Sequence, residues 1–179
     1  SFYGSKSLPE KHNHIIFKFK NFKLIYNDPR RFGFLKILKN ESDYLRFFSR
    51  IGPEAISKDF NKTYLRKILK KRTKNIKNLL LDQKLVSGLG NIYVNEILYQ
   101  AKINPFKKSH LIGSDENKRI IKYSKIILKK AIHFGGSSIK DFKGITGKRG
   151  NFQSEFKVYD REEKRCSRNK CSGLIRRKV

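Results

Sequence analysis

Acidic residues are scarce in this chain. Its 179 residues carry 15 Asp and Glu against 43 Lys and Arg, a formal net charge of +28. Such an excess repels itself unless an anionic partner is near, and nucleic acid is the commonest partner of that kind. Alanine is also scarce while Lys, Ile, Asn and Phe abound, so an AT-rich coding bias is an alternative source of part of the lysine. No apolar run approaches the ~20 residues that a membrane-spanning helix needs. The opening stretch SFYGSKSLPEKHNH lacks the apolar core of a secretory signal. Cysteine is limited to Cys166 and Cys171, a close pair that suggests metal ligation more than a disulfide in a basic, cytosolic protein. No internal repeat is present. What remains, 37% apolar and 12% aromatic, is enough to bury a core in one medium domain or two small ones.

Residues 15 to 38 read as β structure. IIFKFKNFKLIY alternates apolar and basic positions around a turn near Lys20-Asn21, and GFLKIL repeats the pattern after DPRR. ESDYLRFFSRI predicts a short helix closed by Gly52-Pro53. From Asn61 the period becomes helical: TYLRKILKK places Leu65, Ile68 and Leu69 on one face, and NIKNLLLDQKLV predicts a second helix ending near Val86. NIYVNEILYQA predicts a third, with Ile92, Ile97, Leu98 and Ala101 at core spacing, stopping before Asn104-Pro105. Ser114 or Asp115 offers the N-cap of a long fourth helix. Its apolar stripe is Ile120, Ile121, Ser124, Ile127, Leu128, Ala131 and Ile132, and Gly135-Gly136 ends it. FKVYDR is strand-like again. The fold class is α+β, with a boundary between the β-rich and helical segments near 51 to 60.

Gly88-Leu89-Gly90-Asn91 separates two of these helices. A helix N-terminus exposes unpaired N–H groups with partial positive charge, and glycines remove the side chains that would hold a phosphate away. The same four residues also suit a plain helix–helix corner capped by Asn91.

LLLDQKLVSGLGNIYVNEILYQAKINP resembles the helix-two-turn-helix of the formamidopyrimidine-DNA glycosylases. LPEKHNHIIF, YNDPRRFGFLKI, RTKNIKNLLLDQ, GGSSIKDFKGITGKRGNFQSEFKVYDRE and the terminal cysteine pair appear in that family's order, and the resemblance covers nearly the whole chain from Lys11 onward. The related endonuclease VIII branch shares the GLGN turn, but DPRRFG and GNIYVNE are closer to the formamidopyrimidine branch. The resemblance implies the end of a β-sandwich domain (1–50), a helix-two-turn-helix DNA-binding domain (51–134), and a lesion-loop segment with a β-hairpin zinc-finger remnant (135–179). It implies excision of oxidised purines (8-oxoguanine and formamidopyrimidines) with AP lyase activity, in base excision repair. It further implies double-stranded DNA as partner, a monomer, and a cytoplasmic, nucleoid-associated bacterial protein.

Residue by residue, the resemblance gives His12 a DNA-backbone contact, Arg30 the orphaned base opposite the lesion, and Phe32 a wedge in the base stack. Arg72, Lys77, Gly90 and Asn91 meet phosphates, with Lys77 near the lesion. The glycine-punctuated SSIKDFKGITGKRGNF closes over the flipped purine. Cys166 and Cys171 stand for the first half of a four-cysteine zinc site, here C-x4-C where the family has C-x2-C. In the family, an N-terminal proline amine attacks the sugar C1′ and forms a Schiff base. Ser1 and Phe2 do not match that start, so residues 1–179 are expected to be a fragment without the catalytic proline, glutamate and lysine. A non-catalytic DNA-binding relic is the alternative, and an in-frame Met-Pro-Glu start upstream would exclude it. Residues 1–179 alone are expected to give no covalent adduct when borohydride is added with lesion DNA. A trapped band on a denaturing gel would place a nucleophile within this chain.

Overall fold

The computed structural model describes residues 2–3, 11–137 and 150–178. Near the N-terminus three antiparallel strands, β1 (Phe2–Tyr3), β2 (Asn13–Lys18) and β3 (Lys23–Asn27), form a sheet in the order β1-β3-β2. The β2–β3 hairpin turns at Lys20-Asn21, closed by Phe19 N–H donating to Phe22 O at 2.9 Å, with the two phenylalanine rings stacked 4.4 Å apart. GFLKIL does not extend the sheet. Phe34, Leu35 and Ile37 are exposed, and β1 and β2 already occupy both edges of β3. A strand there has no ladder partner among the described residues.

Five helices follow: α1 (Glu41–Phe48), α2 (Lys62–Lys70), α3 (Ile76–Leu81), α4 (Asn91–Gln100) and α5 (Ser114–His133). Side-chain oxygens of Asn40 and Asn61 accept from Asp43 and Tyr64 N–H at 2.9 and 3.0 Å and start α1 and α2. At α5 the N-cap is Gly113 rather than Ser114 or Asp115. Glu116 reaches back to the Gly113 N–H at 2.8 Å while its carboxylate also holds Lys107 Nζ at 2.7 Å. Burial pushes the Glu116 pKa up, but the Lys107 and Gly113 hydrogen bonds outweigh it and hold the carboxyl below its usual value. Gly135 and Gly136, at φ of +72° and +84°, end α5.

α3 stops at Leu81 instead of reaching Val86. Asp82 N–H bonds back to Leu79 O, and the next residues turn so that Val86 N–H meets Asp82 O at 3.0 Å. The early stop lets residues 83–87 be strapped by 52–55. Gly52 N–H donates to Gln83 O, Ser87 N–H to Pro53 O and Ala55 N–H to Ser87 O, at 2.9, 3.0 and 3.0 Å. One core unites α2 to α5, built on Phe60, Leu65, Ile76, Leu79, Val86, Leu89, Val94, Ile97 and Ile120, all at most 1% exposed. Ile132, placed on the α5 stripe by periodicity, is 67% exposed because it faces an open apolar hollow and not the core. The stem of the segment after α5 is closed by Asn151 N–H to Phe134 O and Phe152 N–H to Gly136 O.

FKVYDR forms no strand. Three of its backbone N–H groups, those of Lys157, Val158 and Tyr159, turn together onto a single side chain of α4. Beyond it, the C-terminal hairpin reduces to an isolated bridge, Arg165 opposite Leu174. No helix of the described residues is long and apolar enough to cross a membrane.

A Cβ at Gly52 would lie 2.4 Å from the Leu85 carbonyl carbon, a backbone atom that cannot swing aside. Gly52→Ala should therefore lower stability by about 1–3 kcal/mol, the usual cost of overpacking. A thermal melt at wild-type midpoint would show that the strap is loose.

Candidate nucleic-acid interface

Between α3 and α4 the chain runs Ser87-Gly88-Leu89-Gly90. Leu89 is 1% exposed and plugs the core, while Gly88 and Gly90 on either side are exposed. Gly88 adopts φ of +81°, which favours glycine, and its N–H donates to Gln83 Oε1 at 3.0 Å. The Gln83 amide also donates to Leu89 O at 2.8 Å, so one side chain braces the whole turn. Gly90 is the N-cap of α4 in extended conformation. A Cβ there would meet nothing within 4 Å, and no side chain caps the helix. Asn91 is thus the first helical residue and not a cap. Its side chain is exposed and held by Asn95 Nδ2 at 3.2 Å. The first-turn N–H groups of α4 have no side-chain acceptor, the arrangement that leaves them for an external anion.

Asn91, Asn95 and Tyr99 follow at helical spacing on α4 and, with Lys102 just beyond its end at a left-handed φ of 55°, line one wall of a cleft of about 730 Å³. Lys77, from the first turn of α3, lines the same cleft. It is placed by its own N–H to Pro105 O at 3.3 Å and by Ile76 N–H to Lys107 O at 2.9 Å. The opposite wall comes from the C-terminal segment and brings Arg168, Arg176, Arg177 and Lys178, with Asp160 and Glu162 among them, so the lining keeps an excess of positive charge. The structure therefore gathers Lys77 and Asn91 in one cationic cleft. Arg72 is exposed just after α2, with its N–H on Leu69 O, and does not line it. Beyond the turn, an apolar hollow of about 850 Å³ is lined by residues that include Gly88, Tyr93, Leu128, Gly135 and Gly136.

A second group lies on the sheet. Asp28 organises the loop that follows β3: its carboxylate accepts from Gly33 N–H at 2.7 Å, Tyr26 OH at 3.1 Å and Arg30 N–H at 3.2 Å. The Gly33 N–H is the main reason its carboxyl is held below the usual value. A Cβ at Gly33 would fall 1.7 Å from the Tyr26 hydroxyl, so any side chain there would displace the Tyr26 ring from Asp28. Arg31 takes a left-handed φ of 54°, and the Arg30 guanidinium stacks 4.8 Å over the Phe32 ring, which is 78% exposed. His12 is beside them, since its carbonyl accepts the Asp28 N–H at 3.0 Å. His12 thus adjoins the loop of Arg30 and Phe32 through its backbone, while Lys77 and Asn91 share the cleft and Gly90 precedes Asn91 outside its lining.

Sequence reasoning missed Glu96. It is 3% exposed in the middle of α4, and its carboxylate accepts from the N–H groups of Lys157, Val158 and Tyr159 at 2.9 to 3.1 Å. Three amides converging on one carboxylate resemble an anion nest and lock the C-terminal segment to α4. A signal was present: Glu96 is the sole charged residue of α4, in line with core positions. One turn further, Arg168 stacks 4.2 Å over the Tyr99 ring and donates to the Tyr99 carbonyl. The Tyr99 hydroxyl meets Cys166 Sγ at 3.3 Å and, as the leading cause, draws the Cys166 thiol below its ordinary pKa. Cys166 and Cys171 are free thiols, and among the described residues no third His, Cys, Asp or Glu joins them. Tetrahedral zinc needs four donors, so the described residues do not complete a zinc site. The segment 138–149, expected to close over a flipped base, lies outside the described residues.

The family model described as Formamidopyrimidine-DNA glycosylase H2TH domain matches residues 51–143. The formamidopyrimidine-DNA glycosylase of Roseobacter denitrificans is 41% identical over 180 residues, covering 99% of this chain and 64% of that protein. That of Prochlorococcus marinus is 40% identical over 181 residues, covering 99% of this chain and 61% of its own length. The chain thus spans under two thirds of either. Among solved structures, the MutM (Fpg) protein of Thermus thermophilus superposes with a TM-score of 0.86 at 31% identity, over 96% of this chain and 65% of the other. The Lactococcus lactis Fpg, in complex with DNA containing an abasic site, gives 0.86 at 36% identity over 98% and 65%.

Glu96→Gln removes the charge from the acceptor of all three amides and sets an NH2 where Oε2 now accepts from Lys157 N–H. The expected cost is about 2–3 kcal/mol, from hydrogen bonds to a charged acceptor. Faster amide exchange confined to 157–159 is the measurement. Unchanged protection there would mean that the segment is held by other contacts.

Proposed function

The chain belongs to the formamidopyrimidine-DNA glycosylases, and on that premise we propose that residues 1–179 are the DNA-gripping portion of a glycosylase that excises oxidised purines. The observation that carries this reading is the glycine-flanked, uncapped N-terminus of α4 opening onto the same cationic cleft as Lys77. A phosphate seated there receives backbone N–H donors, the Asn91 amide and the Lys77 charge together. The Lactococcus relative's complex with abasic-site DNA supports the assignment of duplex DNA as the partner.

In this reading the chain works from two sides of a bent duplex. The α4 cleft takes the backbone near the lesion, and Arg72 adds charge outside the cleft. On the sheet, Phe32 enters the stack where a base has left it, and Arg30 meets the edge of the base left behind. Their cation–π contact keeps the pair together on a loop stiffened by Asp28. His12, hydrogen-bonded into the same loop, contacts the adjacent backbone. The apolar hollow beside Gly88 and the stem of segment 138–149 suits a flipped purine ring, with Tyr93 in its wall. The division into 1–50, 51–134 and 135–179, the AP lyase step and a monomeric, cytoplasmic enzyme belong to the same proposal. Cys166 and Cys171 would be two donors of a zinc-finger site, and no step here runs through the metal.

Binding of undamaged duplex should weaken steeply with salt, the logarithm of affinity falling by about 0.9 per phosphate neutralised. Asn91→Ala should lower affinity for damaged and undamaged duplex alike. Arg30→Ala should instead flatten the preference among bases opposite the lesion, by up to about 1–3 kcal/mol per contact. Fluorescence anisotropy against a set of opposite bases measures both. An Asn91→Ala protein that binds as wild type would return the turn to a mere helix corner.

A further inference from the structure

α5 carries a second cationic face that the α4 cleft does not use. Its only acids, Asp115 and Glu116, stand in the first turn. Glu116 is taken by Lys107. Lys118, Lys122, Lys125 and Lys129 follow at spacings of four, three and four. At 3.6 residues per turn these four fall within about 60° of one another, and about 160° round from the buried line Ile120, Ser124, Ile127 and Ala131. Lys118, Lys122 and Lys129 are exposed and Lys125 is half-exposed, and none of the four lines either cavity. Lys118 has a solvent-exposed pair with Asp115 at 3.1 Å. Among the described residues, Lys122, Lys125 and Lys129 form no ion pair. The helix's arginine behaves differently: Arg119 turns inward and donates to Ala101 O at 2.8 Å.

From this line of charge we infer that the outer face of α5 is a second, sequence-independent docking surface for duplex DNA. The row is about 16 Å long, at 1.5 Å per residue. Duplex DNA offers one phosphate charge per ~1.7 Å of axis, a denser array than four lysines require. Lysines are point charges on flexible stems, and they suit phosphates met in no fixed register. An acidic protein patch fits less well, since protein docking gains most from aromatic or arginine anchors at the centre of the contact. The row itself carries no arginine, and the one ring beside it, Tyr123 at 5.8 Å from Lys122 Nζ, is half-buried. A second contact of this kind would let the chain hold one stretch of duplex at the α4 turn and another along α5.

The test uses the 179-residue chain and labelled undamaged duplex, with a Lys118→Gln/Lys122→Gln/Lys125→Gln/Lys129→Gln variant. A charge-matched control carries Lys20→Gln, Lys23→Gln, Lys39→Gln and Lys58→Gln, four lysines outside the row. The α5 variant should reduce the slope of log affinity against log salt by about three to four units. It should also abolish capture of a second labelled duplex by chain already saturated with an unlabelled one. The control should capture that duplex as wild type does and lose far less slope. Equal behaviour of the two variants overturns the inference, as does loss of polyglutamate binding with duplex binding intact. A Lys122→Gln/Lys129→Gln pair, giving about half the effect, guards against misfolding of the quadruple variant. Asn91→Ala keeps the two sites apart: if it changes nothing while the α5 variant does, the α4 reading fails and the α5 surface stands.

Discussion

A single buried leucine between two exposed glycines governs the arrangement of this protein. Leu89 is anchored in the core, so Gly88 and Gly90 must lie at the surface, and the N-terminus of α4 must emerge there without a capping side chain. Leu89 belongs to the one core that unites the helices, and moving it out would return its apolar side chain to water. Backbone donors reach solvent as a consequence of apolar packing, and the 52–55 strap with Gln83 keeps them in place.

α4 distributes that constraint along its length. Its first turn is bare, its middle holds the C-terminal segment through Glu96, and its last turn stacks against Arg168 through Tyr99. The two walls of the cationic cleft are therefore fixed to the same rod, and their separation is set by helix geometry more than by loops. The carboxylate at its centre is costly to bury and is offset by three backbone donors. An arginine or lysine partner in its place would have consumed charge that the cleft holds free.

Net charge and local geometry play separate parts. A surplus of +28 attracts any polyanion from a distance but selects no position along it. Selection needs stiff features, and they occur where the backbone is pinned: the α4 turn, and the loop closed by Asp28, where Arg30 and Phe32 are held as a stacked pair. The lysines of α5 are the opposite case, numerous, aligned and flexible, suited to meeting a polyanion in no fixed register.

Local patterns were enough to place the hairpin turn at Lys20-Asn21, the helices α1, α2, α4 and α5, the glycine stop after α5, the cationic excess and the GLGN corner. These depend on periodicity, capping and turn chemistry, which act over a few residues. GFLKIL and FKVYDR carry strand periodicity yet form no strand, because a strand requires a partner and neither finds one among the described residues. The premature end of α3 depends on a strap from residues 52–55, and the role of Glu96 on amides sixty-one to sixty-three residues away. Equally, in a chain with 43 cations, sequence spacing could not say that Lys77 would enter the cleft and Arg72 would not. The chain alone determined which groups were available to meet an anion. Only tertiary packing decided which of them converge, because convergence is set by contacts between segments distant in sequence.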